Sequence, residues 1–162
     1  MRAVCNTSPL IALASINKLD LLHHIFDEIF IPEAVQNEIL AGNRSGLINI
    51  DMNDYDFIKL MKIQDKQTVS TLMLKLDIGE SEAITLAIES GIKMIILDDK
   101  SARKIARNLG LDIIGTIGIL IKLKELNYID NLADNFDLLD KTINFRISQE
   151  LKIKILQDSG EL

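Results

Sequence analysis

Asn6, Glu38, Glu80, Glu82, Asp98 and Asp99 supply oxygen atoms at well-separated points of the chain, and oxygen is what a hard divalent cation takes. Mg²⁺ or Mn²⁺ binds through one or two carboxylates together with substrate phosphate. Several acids converging from separate elements suit such an ion, which polarises a phosphate and lowers the pKa of a bound water. No rival nucleophilic arrangement is present. His23 and His24 are adjacent and expected on one helix, so they point in different directions, one of them toward the core, and neither reads as a base. Cys5 is the lone cysteine, which excludes an internal disulfide and a Cys/His zinc cluster.

The elements that must position these groups alternate between strand and helix. The apolar runs Ala3–Cys5, Ile29–Ile31, Met94–Leu97 and Asp112–Ile114 predict strands, and Phe57–Ile63 predicts another. Helices are expected from Ser8-Pro9, over Lys18–Phe26, from Pro32 to a stop at Gly42, and over Thr68–Leu76. Further helices are expected over Glu80–Ser90 to a stop at Gly91, Asp99–Leu109, Thr116–Leu126, Leu132–Asp140 and Gln149–Gln157. Gly42 to Asp56 reads as a loop inside one domain. Such alternation predicts an α/β fold with a mostly parallel central sheet between helical layers. In that architecture ligands bind outside the carboxyl ends of the strands. Asn6-Thr7-Ser8 and Asp98-Asp99 stand at two such ends.

Each acid also has an ordinary reading. Asp99 suits an N-cap of the helix that follows, and Asp98 divides evenly between function and capping. At about 100° per residue, Glu80 falls on the apolar stripe of Ala83, Ile84, Ala87 and Ile88, whereas Glu82 falls opposite it. A core-facing Glu80 needs a partner. That partner is a metal ion or, alternatively, the capping box in which Asp77 caps the helix and Glu80 reaches back. A second alternative caps the helix with Gly79 and leaves Glu82 as a favourable charge on the helix dipole. Glu38 lies on the flank of an apolar stripe, a position more often solvated than ligating.

Composition bounds the rest. The 162 residues suit one domain, and 48% apolar content with few aromatics predicts an aliphatic core. The net charge of −6 and pI near 4.9 mean that the whole-protein field does not draw in nucleic acid. No membrane span or signal peptide is expected, and the lone cysteine suits a reducing, cytoplasmic setting.

The run Asn6-Thr7-Ser8-Pro9-Leu10-Ile11, placed after a short strand, resembles the opening of a PIN-like family whose members begin S-N-T-S-P-L-I. Ile31-Pro32-Glu33-Ala34-Val35 leading to Glu38, Gly79-Glu80-Ser81-Glu82-Ala83-Ile84 and Leu97-Asp98-Asp99-Lys100-Ser101-Ala102-Arg103 follow in the family's order. Ile114-Gly115-Thr116-Ile117-Gly118 is similar to its "IGT-x-G" segment. The resemblance spans residue 3 to about residue 160. It implies a three-layer α/β/α fold and an acidic pocket for Mg²⁺ or Mn²⁺ that cuts RNA. It also implies kinship with VapC-type toxin nucleases, a small antitoxin protein as partner, and a homodimer. Residue by residue, it places Asn6, Glu38, Glu80 (with Glu82 as the alternative) and Asp98 at the catalytic and metal-binding positions. Asp99 lies near the fourth acid, and Ser8 at the supporting hydroxyl. Active members carry Asp where this chain has Asn6, a neutral carboxamide that offers one carbonyl oxygen.

Two other readings follow from the same residues. Asn6 and the acidic pI suit a non-catalytic PIN-like module that binds RNA or a protein partner. The Asp98-Asp99 pair superficially resembles the phosphoacceptor pocket of a response regulator, although the first strand ends there in an acid and here in Asn6. The apolar residues Ile147, Leu151, Ile153, Ile155 and Leu156 are expected to pack on the core or on a partner, the core being the commoner outcome.

Overall fold

A computed structural model describes residues 1–162. Five strands form one sheet: β1 Arg2–Cys5, β2 Glu28–Ile31, β3 Ile58–Leu60, β4 Met94–Ile96 and β5 Asp112–Ile114. Their order is β3-β2-β1-β4-β5, and all four pairings are parallel. Side chains alternate across the sheet with the period of two expected of strands. Ala3, Cys5, Ile29, Ile31 and Ile96 enter one core, while Val4, Phe30, Ile95 and Leu97 enter the other.

Helices cover both faces, giving three layers. The first core takes its helical side chains from α1 Thr7–Ser15, α2 Glu33–Ser45, α6 Thr116–Glu125 and α7 Leu132–Ile143, with Leu156 from α8 Gln149–Asp158. The second takes them from α3 Lys66–Leu72, α4 Ile78–Ser90 and α5 Lys100–Asn108. On that side Ala83, Ala87, Ala102 and Ala106 are the buried contacts, and such small side chains bring α4 and α5 close to the sheet. No helix is long and apolar enough to cross a membrane.

Several boundaries differ from expectation for identifiable reasons. The segment expected as a helix over Lys18–Phe26 is a 3₁₀ helix over Leu19–His24. Three residues per turn place Leu19 and Leu22 one above the other, facing the core. Both His23 and His24 are therefore exposed, contrary to the expectation that one faces inward, and His24 stacks on Tyr128 with ring centroids 3.7 Å apart. Helix α2 does not stop at Gly42 but runs through it to Ser45, where Gly46 at φ 79° ends it. Gly42 is needed for proximity, because a Cβ there would lie 2.7 Å from Ile48. The expected loop from Gly42 to Asp56 thus holds the last turn of α2 and a 3₁₀ turn over Met52–Asp54.

Helix α4 is the most consequential difference. A two-faced helix was expected, yet Gly79 through Ala87 are all buried. The helix lies against α2, α3, β1 and β4 together, so it has no solvated face over those turns. Glu80 and Glu82 are each 8% exposed, although they point in roughly opposite directions. At the C-terminal end, Ile147, Ile155 and Leu156 pack on the core, while Leu151 and Ile153 remain exposed.

Candidate functional site

The strand order reverses at β1. The chain passes from β1 outward through β2 to β3, then returns to place β4 on the other side of β1. Such a switch point opens a crevice beyond the carboxyl ends of the two strands. Asn6 leaves β1 at this crevice, and Asp98 leaves β4 there two residues after its last strand residue. The amide of Asn6 donates to the Ile96 carbonyl at 3.1 Å, which fixes the two exits side by side.

One half of the crevice is built around Gly79. Asn6 is 5% exposed, and its Oδ1 is buried with no hydrogen-bond partner. Glu38, one turn into α2 from Ala34, is half-buried and accepts a hydrogen bond at Oε2 from the hydroxyl of Thr7. A Cβ on Gly79 would stand 2.6 Å from Glu38 Oε1 and 3.2 Å from Asn6 Oδ1. The glycine is therefore the space into which both oxygens face. Burial pushes the Glu38 carboxyl above its usual range. The Thr7 hydrogen bond opposes that shift, and the Asp77 and Glu82 charges add to it.

The helix carrying Gly79 supplies the neighbouring acids. Asp77 caps α4 by accepting from the Glu80 amide at 2.8 Å, and Glu80 Oε1 accepts from the Asp77 amide at 3.1 Å. The capping-box alternative for Glu80 is thus the arrangement in the structure. Burial raises the Glu80 carboxyl to about 7. The bond from the Asp77 amide opposes this, and the Asp77 and Asp99 charges reinforce it. Glu82 accepts at Oε2 from the Ala34 amide at 2.8 Å. It thereby satisfies a free N–H in the first turn of α2 and clamps α2 to α4 at the spacing that brings Glu38 to Gly79.

The other half is built around Gly115. Asp98 accepts from the Thr116 amide at 2.8 Å and from its hydroxyl at 2.6 Å, so both carboxylate oxygens hold the first residue of α6. A Cβ on Gly115 would lie 2.8 Å from Asp98 Oδ1 and 3.2 Å from an Arg103 guanidinium nitrogen. Asp99 is the N-cap of α5 and accepts from the Ala102 amide at 2.9 Å. Cys5 lies beneath, fully buried. Burial and then the Asp98 charge push its thiol well up, leaving it inert.

The structure therefore brings Asn6 and Glu38 together at Gly79, with the Asp77 and Glu82 charges acting on Glu38, while Glu80, Asp98 and Asp99 each hold a helix start. Glu82 is turned to α2. Ser8 is exposed and makes no side-chain hydrogen bond, and the hydroxyl that supports Glu38 is the preceding residue, Thr7. No three His, Cys, Asp or Glu side chains converge closely enough to hold an ion by themselves. The donor set nonetheless fits a hard cation shared with a substrate. A buried carbonyl oxygen without a partner and a carboxylate face one glycine-lined space, and Mg²⁺ or Mn²⁺ takes few protein ligands when phosphate and water complete its shell. Thr7, Thr116 and Arg103 lie within the motif runs but carry no role that spacing assigns, and only the packing of elements distant in sequence reveals their partners.

Residues 2–161 match a family model described as DUF3368, a PIN domain, which takes in every residue of the crevice. No curated protein matches the chain. The five-stranded parallel sheet between two helical layers agrees with that family's architecture, and the chain belongs to the PIN domain family.

Proposed function

We propose that the protein is an endoribonuclease dependent on Mg²⁺ or Mn²⁺, acting in the cytoplasm as the toxin-like member of a toxin–antitoxin pair. The observation that carries this reading is the buried, unpartnered Oδ1 of Asn6 facing Glu38 across Gly79. A buried polar atom without a partner is costly, and a ligand oxygen awaiting its ion is one explanation of it. Asn6 and Glu38 would hold the cation, with Asp98 and Glu80 beside them. When bound, the cation supplies charge to polarise a scissile phosphate and acidify a water. Burial and the Asp77 and Glu82 charges raise the Glu38 carboxyl above its usual range, a cost that a cation held by Glu38 would offset. Glu80, at about 7, is divided between its acid and base forms at neutral pH.

A small antitoxin as partner and a homodimeric state belong to the same proposal. The test is cleavage of mixed cellular RNA with Mn²⁺ and with EDTA. The expected result is metal-dependent fragmentation that Glu38→Gln removes. Wild-type protein that leaves RNA intact with either metal, or a Glu38→Gln variant as active as wild type, refutes it. The second reading, a non-catalytic binding module, is favoured by the neutral Asn6. RNA retention without cleavage in the same assay would support it.

A further inference from the structure

The molecule is acidic overall, yet α5 carries Lys100, Arg103, Lys104 and Arg107 and no acidic residue. Their spacing of three and four puts all four on one face, opposite the buried Ala102 and Ala106. Ion pairs engage Lys59, Lys62, Lys122, Lys124, Lys152 and the N-terminal amine, and none engages α5. Like charges at these spacings disfavour the helix, and Lys100 opposes the helix dipole in the first turn. A solvated face ordinarily mixes both signs. This one holds four cations without an ion pair on a chain of net charge −6, with Asp98 and Asp99 at its first turn only.

The stripe also has a direction. Its first turn is capped by Asp99, and the Arg103 guanidinium reaches the point beside Gly115 where Asp98 lies. A groove of about 490 Å³ continues from there, and Arg146 lines it together with Arg103 and Asp98. From Lys100 to Arg107 the stripe runs about 10 Å. Cations three and four residues apart lie about 5–6 Å from one another, inside the roughly 8 Å over which charges act at physiological ionic strength, so an anion on α5 feels several at once, with Asp98 and Asp99 at one end only.

We propose that the basic face of α5, continued by Arg146, is the surface on which the RNA backbone lies as it enters the crevice. The proposal rests on the reading of that crevice as an RNA-cleaving site. Guanidinium groups match phosphate in geometry, and regularly spaced single charges suit a stripe. The stripe ends at the crevice read as the RNA-cleaving site, and RNA rather than an acidic protein segment is therefore the occupant assigned to it.

The test is fluorescence anisotropy of a labelled oligouridine in EDTA, so that binding is read without cleavage. Wild type should bind with a log–log salt slope of about −3, as four or five phosphate contacts to a single strand require. The triple variant Lys100→Gln/Lys104→Gln/Arg107→Gln should bind at least about tenfold more weakly at low salt and flatten the slope by about 2. Lys141→Gln on α7 should change neither. Circular dichroism should show the triple variant folded, with the helix content of wild type. Unchanged affinity and slope in the triple variant, absence of wild-type binding, or equal binding of polyglutamate would each overturn the surface. RNA binding through α5 without Mn²⁺-dependent cleavage would instead sink the nuclease reading and leave the surface standing.

Discussion

Two glycines, Gly79 and Gly115, mark the two halves of the crevice, and the oxygens beside them are in opposite states. At Gly115 both oxygens of Asp98 are engaged by Thr116. At Gly79 the Asn6 Oδ1 has no partner, and Glu38 has the Thr7 hydroxyl alone among hydrogen-bond donors. Charge-assisted hydrogen bonds to a buried helix start make Asp98 part of the scaffold. At the Gly79 half the oxygens are clustered, partly desolvated and short of donors, which is the cost that the proposed cation would relieve.

The largest expected effect tests the scaffold half. Asp98→Ala leaves the amide and hydroxyl of Thr116 buried without acceptors and should cost about 3 kcal/mol. Glu38→Gln should leave stability unchanged or slightly raised, since it relieves repulsion from Asp77 and Glu82. Urea denaturation compares the two, and equal losses would erase the distinction between the halves.

Next come the glycines. Gly79→Ala puts a methyl against Glu38 and should weaken Mn²⁺ binding by about 100-fold, the upper range for disrupting a ligand's surroundings. Gly115→Ala presses on Asp98 and should lower the melting temperature while changing Mn²⁺ affinity only a few-fold. Calorimetric titration alongside thermal melts reads both. The reverse pattern would place the ion on the Asp98 side.

Asn6→Asp sharpens the comparison from the other direction. A full negative charge at the unpartnered position should tighten Mn²⁺ binding by about tenfold and lower stability in EDTA. A variant that binds metal no better than wild type would remove Asn6 from the ligand set.

The smallest effect concerns pH. Glu80 holds its proton in the folded protein up to about 7, against 4.5 for an unperturbed carboxyl. Its contribution to stability is therefore present below pH 4.5 and lost as pH rises through 7. On the order of 1 kcal/mol should disappear across that window once solvent screening is allowed for, and Glu80→Gln should flatten the profile. Denaturation midpoints between pH 4 and 8 measure it.

Much of the frame was legible because it depends on local pattern. The apolar runs at Ala3–Cys5 and Met94–Leu97 name strands, and the positions of Asn6 and Asp98 just beyond them follow from the fold class. The surroundings of α4 were not legible. Periodicity finds a helix's apolar stripe but not how many neighbours surround it, so Glu82 was assigned to an open face that α2 covers. The Glu82–Ala34 contact bridges residues 48 apart, and Asp98–Thr116 bridges 18. No spacing rule anticipates such pairs. Gly42 misled for a related reason. A glycine that ends a helix and one that admits a neighbour look alike until Ile48 is placed.

Whether the Gly79 half binds a cation is read most directly by calorimetric titration of Mn²⁺ into wild type and Glu38→Gln. A saturable site in wild type that is lost in Glu38→Gln, with both proteins equally folded by circular dichroism, is the predicted result. Wild type that takes up no Mn²⁺, or a variant that binds it as well as wild type, would contradict the account.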